Sequence, residues 1–133
     1  MADPSPNITI AVSPGEVVDR LTILEIKSQR IKDAAKLATV RAELAHLAEA
    51  AKSAIPDTDE MRGLHNDLKA INEKLWEIED DIRALERLGD FGAAFIALAR
   101  AVYRTNDMRA GLKRKINETL GSDLREEKSY APF

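Results

Sequence analysis

Arg109 stands where an apolar residue is expected. At about 100° per residue it shares the bearing of Phe91 and falls between Leu98 and Val102, so a guanidinium breaks the apolar arc of a fourth helix at its centre. Thr105 and Asn106 lie one turn earlier, near the same arc. A buried arginine costs several kcal/mol unless a carboxylate meets it. Glu25, trapped between Leu21 and Val18 on the first helix, is the first candidate partner, followed by Asp67 and Glu79 at the edges of the third helix's stripe. Two chemistries fit. One is a structural ion pair that fixes helix register. The other is a polar pocket in which the arginine fork holds a carboxylate or phosphate, with Glu25 or Glu79 as base or orienter. Trp76, about 120° from the third helix's seam and on one stripe with His65, Asn72, Glu79 and Arg83, would wall such a pocket or pack against another helix. Tyr103 flanks the fourth helix's arc in the same way.

Other catalytic chemistries find little support. The chain has no cysteine and two histidines, His46 and His65, which excludes thiolate nucleophiles and Cys-ligated metals and leaves no Ser-His-Asp arrangement to argue. Glu43-x-x-His46 has the spacing of a bundle metal site, but Arg62 stands three residues before His65, so the second half is missing. Glu16-x-x-Asp19 and Glu77-x-x-Asp80 have the spacing of magnesium-holding carboxylate pairs, without the companion Glu-x-x-Glu. No metal and no cofactor are expected. Phosphate-loop and dinucleotide motifs are absent.

These side chains need helices to hold them. Ser13-Pro14-Gly15-Glu16 combines an N-cap serine, proline at N1 and glutamate at N3, which starts a helix running from about Pro14 to Lys32. A second is expected over roughly Asp33–Ser53, with Leu37, Val40, Leu44 and Leu47 at core spacing and Ile55-Pro56-Asp57 as the break. The third, from about Thr58 to just before Gly89, carries Met61, Leu64, Leu68, Ile71, Leu75, Ile78, Ile82 and Leu85 in unbroken 3-4 spacing. The fourth spans about Asp90 to Leu120, with Phe91, Phe95, Leu98, Val102, Leu112, Ile116 and Leu120 on its inner arc and Gly121 as a C-cap candidate.

The fold class expected is therefore all-α: an antiparallel up-down bundle of four main helices in one domain, residues 1–133. Residues 1–12 form an arm whose Asn7–Val12 alternation is a candidate short strand, residues 13–120 the helices, and 121–133 an irregular tail. The two long helices overrun a domain of this size, and a second copy of the chain is the simplest cover, so a homodimer is expected.

Charge is segregated along the chain. Asn72–Asp90 holds seven acids against three bases, and Arg100–Lys115 six bases against one acid, which lets them pair across the hairpin. The formal net charge of −3 lacks the basic field a nucleic-acid binder needs. No apolar run reaches the length of a membrane span and no basic-then-apolar leader opens the chain, so the expected location is the cytoplasm.

The strings VSPGEVVDRLTILEIKSQRI (Val12–Ile31), KLATVRAEL (Lys36–Leu44), LWEIEDDIR (Leu75–Arg83), FIALARAVYRTNDMRAGLKRKIN (Phe95–Asn117) and GSDLREEKSY (Gly121–Tyr130) resemble an uncharacterised family of short bacterial proteins, a domain of unknown function. The resemblance covers nearly the whole chain. It implies a setting beside glycosyltransferase and surface-polysaccharide genes, and no chemistry. Two functions are carried forward. The first is a non-catalytic accessory or adaptor protein for a glycosyltransferase or envelope-polysaccharide pathway, docking on a partner protein through a helix face or the C-terminal tail. The alternative is a small enzyme or binding protein for an anionic metabolite such as a sugar nucleotide, with Arg109 as clamp and Glu25, Glu79, Asn106, Tyr103 and Trp76 around it.

Overall fold

The computed structural model describes residues 5–124 and 126–133; residues 1–4 of the arm and Arg125 of the tail lie outside them. Four helices follow one another, α1 (Pro14–Arg30), α2 (Ala34–Ala51), α3 (Asp59–Leu88) and α4 (Ala93–Thr119). Among the described residues there is no strand. Asn7–Val12 has no regular secondary structure, with Ile8 and Ile10 exposed; a single alternating segment has no ladder to join, which corrects the strand expectation.

The local code sets the helix ends. The Ser13 hydroxyl accepts from the Glu16 amide at 3.2 Å, the Asp33 carboxylate from the Lys36 amide at 2.9 Å, and the Thr58 hydroxyl from the Met61 amide at 3.2 Å. Gly89, at φ 68°, closes α3: its own amide donates to Glu86 O, and the Asp90 amide reaches Leu85 O across it. Gly121, at φ 67°, sits just past the end of α4, where the Ser122 amide reaches Asn117 O. The fourth helix starts three residues later than the sequence suggested. Asp90 spends its carboxylate on the Gly92 amide in a turn, and α4 begins only after it.

α1, α3 and α4 pack on one another, whereas the α2 backbone approaches α1 alone. The helices run up, down, up, down. Arg20 meets Glu43 across the antiparallel α1–α2 pair, Asp19 meets Arg109 across α1–α4, and Asn72 and Arg109 meet one carboxylate across α3–α4. The core of Val18, Met61, Leu64, Leu68 and Ile116 lies toward one end, backed by Ile55, Leu112 and Leu120.

Helix length decides the shape. α1 has 17 residues, α3 has 30 and α4 has 27, so the α3–α4 hairpin outruns α1 by about 20 Å at ~1.5 Å per residue. Arg30, the last residue of α1, reaches Glu77 at 3.4 Å, and the hairpin continues beyond it. From Glu79 to Arg104 no residue is buried. Phe91, expected on the inner arc, is 55% exposed, because no third helix extends that far; it meets Phe95 edge-on with ring centroids 5.2 Å apart.

Candidate functional site

The interior contains a polar knot. Asp19 is 2% exposed and lies among α1, α3 and α4. Its Oδ1 accepts from Arg109 Nε at 2.8 Å and from Asn72 Nδ2 at 2.9 Å, and its Oδ2 accepts from an Arg109 Nη. Asn72 Nδ2 also donates to Thr22 Oγ1 at 2.8 Å, and that hydroxyl donates to Asp19 O at 2.7 Å. Two-point geometry engages both oxygens of the buried carboxylate, while the arginine side chain keeps 30% exposure, so Asp19 is the charge whose desolvation the pairing must offset. The Asp19 hydrogen bond raises the Arg109 pKa above its ordinary value against the opposing effect of burial.

Arg109 is half-buried and it is paired, but its partner is Asp19 and not Glu25, Asp67 or Glu79. Glu25 instead receives His65 Nε2 at 2.9 Å, with Lys69 3.9 Å away. Glu79 pairs with Arg83 one turn along α3. The overlooked signal was polar. Gly15, Asp19, Thr22 and Ile26 repeat at 4-3-4 spacing and are all buried, so the core stripe of α1 is partly polar, and a search for aliphatic periodicity passes over it. On α3 likewise Asn72 is buried while its neighbour Ile71 is only half-buried.

A second polar contact fixes the start of α1. The Gly15 amide donates to Asn117 Oδ1 at 2.7 Å, and a Cβ at Gly15 would lie 2.4 Å from Lys113 O, so only glycine lets α1 approach α4 this closely. Buried Lys113 sits 2.8 Å from both Glu16 and Glu126. Burial lowers its pKa, but the hydrogen bonds to Glu126 and Glu16 prevail and raise it; Glu126 is held below the ordinary carboxylate range by the same contact. From Glu126 the tail runs back along α4. Lys128 lies 3.4 Å from Asp107, and the Phe133 ring meets Tyr103 with centroids 5.1 Å apart.

Four of the six sequence-predicted site residues, Trp76, Glu79, Asn106 and Arg109, line one cavity of about 500 Å³ between α1, α3 and α4. Ile23, Ile26 and Leu75 give it an apolar surface, and Lys27, Asp80 and Arg83 are further polar members. Glu25 and Tyr103 are elsewhere. Glu25 opens on a largely apolar groove of about 420 Å³ between α1, α2 and α3, and Tyr103 packs under the tail. Among the described residues no cluster of three or more His, Asp or Glu side chains could hold a metal ion, and no helix is long and apolar enough to cross a membrane.

The fold and this knot define a small all-helical protein with a projecting hairpin. Residues 8–132 match the profile of a family of unknown function, DUF6165, and the chain belongs to that family. No curated protein and no solved structure matches it.

Proposed function

We propose that this protein is a non-catalytic accessory protein that works by docking, first on a second copy of itself and then on a partner protein. The observation that carries the reading is the hairpin: from Glu79 to Arg104 no residue is buried, although Ile82, Leu85, Phe95, Leu98 and Val102 repeat at core spacing. Leu88, Phe91 and Ile96 at its tip are 79%, 55% and 55% exposed. A contiguous apolar surface of this kind marks an interaction site.

A two-fold dimer of hairpins completes a four-helix bundle where α1 has run out. It also brings Arg100 and Arg104, the bases on the projecting part of α4, toward the acidic α3 arm of the other copy, a self-complementary pattern that an isologous interface requires. The tail, with Tyr130 and Phe133 exposed on α4, is the second docking element, for a partner protein. Service to a glycosyltransferase or envelope-polysaccharide pathway in the cytoplasm belongs to the same proposal and rests on the family resemblance.

Light scattering on the full chain tests it. The wild type is expected at twice the chain mass, and Leu98→Glu at the monomer mass with unchanged helicity. A wild-type monomer at about 100 µM, where even weak homodimers populate, removes the hairpin as the docking surface. Co-purification from the native host then compares the wild type with a chain ending at Ser122. A partner held by the full chain and lost without the tail supports the adaptor role, and recovery of the chain alone removes it.

A further inference from the structure

Three charged or amide side chains of the cavity beside the polar knot, Lys27, Asp80 and Asn106, make no hydrogen bond or ion pair among the described residues. Its other positively charged members are engaged, Arg109 with Asp19 and Arg83 with Glu79. Lys27 and Asn106 are half-buried, line the same cavity, and make no side-chain hydrogen bond or ion pair to any described residue. No buried side-chain polar atom lacks a partner among the described residues, so the Lys27 ammonium and the Asn106 carboxamide meet water in the cavity, and a ligand there has only that water to displace. Trp76 and Leu75 stand opposite on α3, and Ile23 and Ile26 complete the apolar lining from α1. The volume, about 500 Å³, suits a small molecule. The walls are also fixed in advance, because the Asp19 knot ties together the three helices that supply them.

We infer that this cavity is a ligand site for a flat ring carrying one anionic group, the ring lying on the Trp76 indole and the anion received by the Lys27 ammonium and the Asn106 amide. Asp80 and Glu79 on the α3 rim limit the charge the site tolerates, since Lys27 is the single lysine or arginine of the lining without a partner among the described residues. A nucleoside monophosphate and an aromatic carboxylate share this chemistry. Arg109 takes no part in holding the ligand; it positions the wall.

Trp76 is the only tryptophan in the chain, so its emission reports on the cavity directly. The full-length protein is titrated with adenosine 5′-monophosphate, with 4-hydroxybenzoate, and with adenosine and inorganic phosphate separately, each to about 5 mM, the weak limit of small-ligand affinity. Saturable quenching by one of the first two, stronger than by adenosine or phosphate alone, supports the site and identifies the source of the anion. Lys27→Gln is expected to weaken that binding about tenfold, the loss that follows removal of a charge-assisted hydrogen bond. Because Lys27 has no partner among the described residues, the melting temperature of this variant should stay at the wild-type value. Trp76→Phe, followed by calorimetry, is expected to bind more weakly but measurably. Absence of quenching by every probe, equal quenching by adenosine alone, or binding indifferent to Lys27→Gln overturns the assignment.

Discussion

Leu68 and Ile82 lie two heptads apart on α3, in one unbroken run of apolar residues, yet Leu68 is 0% exposed and Ile82 is only half-buried. The periodicity that places both on one face is the same. The difference is a third helix. At the level of Leu68, α1 crosses the α3–α4 seam and seals it; at the level of Ile82, α1 has already ended. Periodicity tells which face of a helix seeks cover, and the lengths of its neighbours decide whether the chain itself provides it. The sealed half is also the half with the polar knot, so rigidity and charge pairing sit at one end of the molecule and unsatisfied apolar surface at the other.

The most damaging way to break this contrast is at the knot. Asp19→Ala leaves the Arg109 guanidinium and the Asn72 amide without their shared acceptor and should cost about 3–5 kcal/mol in chemical denaturation. Leu68→Ala tests the apolar half of the same region and should cost about 3 kcal/mol, through lost transfer energy and a cavity that tight packing cannot close. Gly15→Ala, which forces α1 away from Lys113 O, should cost about 1–3 kcal/mol and shift the α1–α4 contacts in NMR spectra. Ile82→Ala sharpens the comparison. In dilute protein it should cost less than about 1 kcal/mol, and its cost should grow with concentration as the hairpin becomes buried between copies.

The smallest effect belongs to the tail. Because Lys113 lowers the Glu126 pKa, the stabilisation this pair gives is complete above the ordinary glutamate value of about 4.3 and is lost as the pH falls through the lowered, folded-state value. Acidification below that range should release the tail from α4, seen as loss of the Tyr103–Phe133 contact and easier C-terminal proteolysis, while helicity persists. Glu126→Gln should abolish the pH step.

Much of the architecture was legible in the residues. Serine, aspartate and threonine caps, the proline at the start of α1, and glycines after α3 and α4 act through contacts within a few residues, so the sequence alone determined four helices and placed their ends to within three residues. It also pointed to a carboxylate partner for Arg109, since a guanidinium in an apolar arc must either pair or reach water, and the half-buried Arg109 does pair. Which carboxylate meets it depends on the crossing of α1 over α3 and α4, a property of three helices together. Only the tertiary structure could choose Asp19 over Glu25, send Glu25 to His65, part Tyr103 from Trp76, and leave Lys27 and Asn106 facing one cavity. It alone decided that the hairpin outruns its cover, because burial is a property of neighbours and no single helix carries it in its own sequence.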